Sequence, residues 1–152
     1  MYSETITLFN HHSDRLGDTW YPHLLTGVDL IVDRASVIAK YGPETASSAK
    51  LHIRYVNDEN GISINGIPYV PYKEWHGMTT DERNGKITFN TDSDNADFFV
   101  IGDVGITETV FDSVDSPDSL MERISKQMDV YVLATVSEPY KVIKHFEILA
   151  KG

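Results

Sequence analysis

The chain has 152 residues, 41% of them hydrophobic and 24% charged, with no cysteine and a formal net charge of −10. That length suits one domain with a sizeable core, residues 1–152, and the composition is that of a globular protein. The acidic balance speaks against a general nucleic-acid binder and against docking on anionic membranes, and the lack of cysteine removes disulfides, thiol catalysis and cysteine-ligated zinc together.

No apolar run approaches the roughly 20 residues that span a bilayer. The first ten residues lack the charged start and long apolar stretch of a signal peptide, so synthesis and folding in the cytoplasm are expected. Residues 3–9 alternate Thr5 and Thr7 with Ile6 and Leu8 and predict a strand. Residues 10–17, with His11, His12 and Asp14, read as a turn or loop. Extended structure resumes over 19–26, where Pro22 marks an edge or bulge. Residues 28–37 are apolar, interrupted by Asp29, Asp33 and Arg34, and Gly42 with Pro43 breaks the chain before a polar, loop-like stretch.

Residues 50–56 give the clearest alternation, with Leu51, Ile53 and Tyr55 on one face and His52 and Arg54 on the other. Residues 62–70 predict a small hairpin turning at Asn65 and Gly66, the pair that best tolerates positive φ. Residues 71–77 suit one helical turn. Thr79 and Glu82 have capping-box spacing, and Gly85 suits the end of the short helix they start. Strands are expected at 86–90 and 97–101, around an acidic turn at 92–95. Ser116, Pro117 and Asp118 form the strongest helix start, followed by an apolar stripe of Leu120, Ile124 and Met128. Two strands, 130–136 and 142–149, joined at Glu138 to Tyr140, close the chain. The expected fold is mainly β, a small barrel or sandwich with one clear helix and a long insertion at about 57–85.

Nowhere does the sequence gather a set of residues that carries chemistry. His11, His12 and Asp14 lack metal-ligand spacing and read as a solvated loop. His52 and His145 each lack a nearby nucleophile. Asp92, Asp94, Asn95 and Asp97 have some calcium-loop spacing but no glycine, and β-type residues follow at once, so a polar turn is favoured over weak calcium binding. No cofactor is expected. Trp20, Tyr21, Tyr69, Tyr72 and Trp75 could stack on a sugar, fill a core or face a partner. The apolar, proline-punctuated segment 67–78, ending at Met78, reads foremost as an interface loop that a partner covers, with folding back on its own core as the alternative. Glu108, Asp112, Asp115, Asp118 and Glu122 outweigh Arg123 and Lys126 and form an acidic face, either solvated or meeting a basic partner.

Several motifs together resemble a family. Thr-Ile-Thr-Leu-Phe-Asn at 5–10, Gly-Asp-Thr-Trp-Tyr-Pro at 17–22 and Gly-Val-Asp-Leu at 27–30 resemble the opening of small virion proteins encoded by tailed phages and prophages of gut Firmicutes. The central strand 49–55, the residues Tyr69, Pro71, Lys73, Glu74 and Trp75, and the runs 87–89, 95–99 and 145–148 are similar as well. The resemblance covers nearly the whole chain and rests on scaffold and interface residues. It implies a non-enzymatic head-completion or head–tail joining protein of the virion neck, and within that group a stopper: a small β-barrel with a long loop, forming a ring around the DNA channel. Its partners would be further copies of itself, a portal or adaptor above, and a tail terminator or tail tube below, with DNA passing unbound. No membrane is involved. Trp20, Tyr21, Tyr69, Tyr72, Trp75, Met78, His145 and Phe146 are the interface candidates. A tail terminator or minor capsid protein is the alternative within the class, and a carbohydrate-binding or small-ligand β-domain the alternative outside it.

Overall fold

The computed structural model describes residues 2–33, 48–92 and 94–152. The expected break at Gly42 and Pro43, the apolar run beyond Asp33, and Ser93 of the acidic turn lie outside the described residues.

A mainly-β barrel is what the chain forms. Strands β1 (Glu4–Asp14), β2 (Gly17–Asp33), β3 (Ser48–Arg54), β7 (Phe98–Ile101), β9 (Tyr131–Val136) and β10 (His145–Lys151) pair in the order β1-β7-β9-β10-β3-β2, and β2 pairs back onto β1. All six contacts are antiparallel. Closure removes the open edges that an unrolled sheet would present. A seventh strand, β8 (Val110–Ser113), adds to the outer part of β2.

The side-chain period of two explains how one barrel serves two cores. Ile6, Leu8, Leu51, Ile53, Phe99, Leu133, Phe146 and Ile148 point into one buried cluster that fills the barrel. Phe9, Phe98 and Val100, their neighbours in sequence, lie in a second cluster with Trp20, Leu120 and Ile124. The last two come from helix α3 (Leu120–Ser125), so β1 and β7 are buried on both faces.

Between β3 and β7 lies the insertion. It contains a three-stranded sheet of β4 (Val56–Asp58), β5 (Gly61–Ile64) and β6 (Ile67–Pro68), then helices α1 (Tyr72–His76) and α2 (Thr80–Asn84). The β5–β6 turn sits at Asn65 and Gly66, with φ of 52° and 79° as the sequence requires. Thr79 and Glu82 make the reciprocal capping box that starts α2. A parallel bridge between Tyr69 and Ile87 closes the insertion, and Ile64, Ile87 and Phe89 cap the barrel core.

Four local expectations are corrected. Residues 10–14 are strand, not loop, because Asn10 and His11 pair with Tyr21 and Trp20 across a hairpin whose turn is Arg15 and Leu16. Residues 86–90 make one bridge rather than a strand. Helix α3 is capped by Ser119, whose side chain accepts from the Glu122 N–H, not by Ser116, so Met128 falls beyond its end. The helical turn expected at 71–77 and the short helix expected between Thr79 and Gly85 both form, as α1 and α2. Strand β10 begins at His145, leaving Val142 and Ile143 in the preceding connection.

Candidate assembly surfaces

The aromatic residues singled out in the sequence are mostly used inside the chain. Trp75 of α1 is fully buried and meets the Tyr21 ring edge-on at 5.3 Å. Arg83 of α2, also buried, lies beside both rings. Its Nε donates to the Tyr21 hydroxyl at 3.2 Å, and its Nη1 donates to the carbonyl oxygens of His76 and Met78. One buried guanidinium therefore fastens α1, α2 and β2 together, its charge spread over several acceptors. The reading of segment 67–78 as a loop awaiting a partner is corrected: its largest side chain is covered by its own barrel. Tyr69 packs on Phe146 at 4.8 Å and on Phe89. Phe146 is fully buried, and Tyr72, Met78 and His145 remain half-buried.

Trp20 is equally committed. Its indole stacks on His11 with centroids 4.0 Å apart, and its Nε1 donates to Asp112 Oδ2 at 3.0 Å. Asp112 also accepts from the Leu120 backbone N–H at 2.6 Å and from Arg123 Nη2 at 3.2 Å. This acidic-face candidate is thus buried, and it holds α3 by its N-terminus, where a carboxylate is favourable. Glu108, Asp115 and Glu122 are exposed, and Asp118 is half-buried with Lys126 3.5 Å away. His11 Nε2 contacts Asp18 at 2.7 Å, so the adjacent histidines are not a solvated pair.

Asp97 ties the far end of the insertion to the barrel. It accepts from the His11 N–H at 2.8 Å, Asn10 Nδ2 at 2.9 Å and the Asn90 N–H at 2.7 Å. Complete burial pushes its carboxyl up to about 8, while the donations from Asn90, His11 and Asn10 pull it down. Asn10 bonds both the N–H and the C=O of Thr88, replacing the ladder that residues 86–90 do not form. His23, buried on β2, is lowered to about 4 by desolvation, against a hydrogen bond to the Lys86 backbone.

On the outer face of β2, β3 and β10, Asp29, His52 and Glu147 stand in register. His52 Nδ1 lies 3.3 Å from Asp29, and both His52 and His145 approach Glu147, at 3.5 and 3.6 Å. The pairs of His52 with Asp29 and with Glu147 are cross-strand contacts of a kind that supports a sheet, while His145 and Glu147 are neighbours on one face of β10. Among the described residues no group of three or more His, Asp or Glu forms a metal-binding set.

What the fold leaves uncovered lies elsewhere. In the β9–β10 connection, Val142 is 98% and Ile143 67% exposed, beside a half-exposed Tyr140. The loop is nevertheless anchored: Tyr55 donates its hydroxyl to the Tyr140 carbonyl and its N–H to the Lys144 carbonyl. A second group sits where β8 meets the β1–β2 turn. There Val114 is 66%, Leu16 62% and Phe111 55% exposed, and the Val114 N–H donates to the Leu16 carbonyl. Gly17 permits that close approach, since with φ of 146° a Cβ there would collide with the Asp112 carbonyl. Neither group stood out in the sequence. The first reads as the start of a strand, and the second falls in a stretch noted only for its acids.

Neither the curated proteins nor the solved structures contain a match to this chain. A family model does match it, over residues 1–151. The chain belongs to the family of unknown function DUF6751.

Proposed function

We propose that this protein is a non-enzymatic structural component of a phage head–tail connector, a stopper-like subunit that works as a ring around the DNA channel. The observation that carries the reading is how the side chains are used. Trp20, Trp75, His11, Asp97 and Asp112 are spent on internal ties, whereas Val142 and Ile143 of the β9–β10 connection, and Leu16, Phe111 and Val114 where β8 meets the β1–β2 turn, are among the large apolar side chains left exposed. Isolated exposed apolar residues are ordinary, but rigidly mounted groups of them suit contact with a partner. The net charge of −10 fits a ring through which DNA must slide without sticking. The sequence motifs described above supply the virion assignment.

Of its platforms Trp20, Tyr72 and Trp75, a carbohydrate-binding reading loses two, because neither tryptophan offers an open face and only Tyr72 stays half-buried. The experiment is reconstitution with the portal and adaptor proteins encoded by the same phage or prophage, followed by negative-stain imaging. A ring bound to the adaptor is expected. A protein that stays monomeric and never joins these partners overturns the reading.

A further inference from the structure

The two uncovered groups differ in charge as well as in place. The connection carries Lys141 and Lys144, which bracket Val142 and Ile143, against a single acid, Glu138. In a chain with 13 basic and 23 acidic residues, that is a local reversal of sign. The other group is rimmed by acids. Asp14 and Asp115 are exposed next to Leu16 and Val114, and Glu108 is exposed two residues before β8, whereas Asp18, Asp112 and Asp118 are already met by His11, Arg123 and Lys126. Arg15 is the one cation within 14–18 and 108–118.

Both groups are held in shape. Tyr55 pins the connection at Tyr140 and Lys144. The acidic edge is fixed by the β2–β8 ladder, by Leu16 to Val114, and by Asp14 Oδ1, which accepts the Leu16 N–H at 2.8 Å. Pre-shaped surfaces lose little conformational entropy on contact.

We infer that the basic, apolar connection at 140–144 of one copy docks on the acidic, apolar edge of Leu16, Phe111 and Val114 of the next. The occupant is a second copy of this chain because the two surfaces complement each other in both apolar character and charge, while each repels its own kind through like charge. Two different surfaces meeting head to tail give a heterologous contact, which propagates around a ring if the rotation closes. The inference rests on the ring reading above and specifies the contact that builds it.

The test uses one-sided variants of the full chain, with thermal unfolding checked against wild type and masses read by light scattering. Phe111→Asp disables the edge, and Val142→Asp with Ile143→Asp disables the connection. Each alone should run at the monomer mass of 17.1 kDa. Mixed in equal amounts they should form dimers, since one intact surface remains on each. A second set swaps charge. Lys141→Glu with Lys144→Glu, and separately Asp115→Lys, should each lose the ring, and all three changes in one chain should restore it. These exposed substitutions keep the test decisive if Phe111→Asp fails to fold. Rings that survive the one-sided variants, or a mixture that stays monomeric, overturn this contact and leave the ring reading standing. A wild-type chain that is monomeric on its own and also forms no ring on the portal–adaptor complex overturns both.

Discussion

The insertion (residues 56–87) and the β9–β10 connection (residues 137–144) both carry large apolar side chains among polar ones, both are interrupted by proline, and both are attached to the same barrel. They meet opposite fates. The insertion folds back: Arg83 supplies donors to Tyr21, His76 and Met78, Thr79 and Glu82 cap α2, and Trp75 disappears against Tyr21. The connection is too short to fold on anything. Its backbone is tied down through Tyr55, but Val142 and Ile143 are left in water. Apolar content therefore says that a segment must be covered, and the polar anchors beside it decide whether its own chain does the covering.

The comparison can be broken most sharply at Trp75. If the insertion is core, Trp75→Ala should cost about 3–5 kcal/mol, read from the denaturant midpoint at constant slope. A loss under about 1 kcal/mol would make the insertion resemble the connection. His23, bonded to the Lys86 backbone at the insertion's end, gives the next effect. Unfolded, its imidazole takes up a proton near 6.5; folded, only near about 4. Between those values the unfolded state binds more protons, so stability falls as pH falls. Relative to a His23→Phe variant, wild type should lose about 3 kcal/mol from pH 7 to pH 4, measured by urea unfolding at each pH.

Smaller is the cap. Thr79→Ala should cost about 1 kcal/mol by loss of the hydroxyl that accepts the Glu82 N–H. Smallest of all, Val142→Ser with Ile143→Ser should leave the thermal midpoint of the isolated chain within the shift expected for about 0.5 kcal/mol. A larger drop would mean that these side chains already support the monomer.

Features set by neighbours in sequence were legible. The alternation of Leu51, Ile53 and Tyr55, the Asn65–Gly66 turn and the Thr79 cap all depend on a few adjacent residues, and all appear as expected. Features set by distant partners were not. His11 looks like loop until Trp20 stacks on it and Asp97 accepts its N–H. Asp112 looks like one acid among many until the Trp20 indole and the Leu120 N–H converge on it. The start of α3 expected at Ser116 lies three residues too early; the cap is Ser119, whose side chain accepts the Glu122 N–H. The exposed pair Val142 and Ile143 was hidden by continuity, because their apolar character runs straight into β10 and only the register with β3, beginning at His145, shows where the strand starts.

Strand β10 follows every other strand in the chain, yet it sits between β9 and β3, and without it the barrel is an open sheet. On the ribosome the earlier strands must therefore wait, with β3 exposing a free edge until its partner from nearly a hundred residues later is released. The same event settles the connection at 137–144, which is drawn tight only when His145 pairs with Arg54. A chain lacking β10 would thus lack the proposed docking element in its formed state, and could not make the proposed contact between copies.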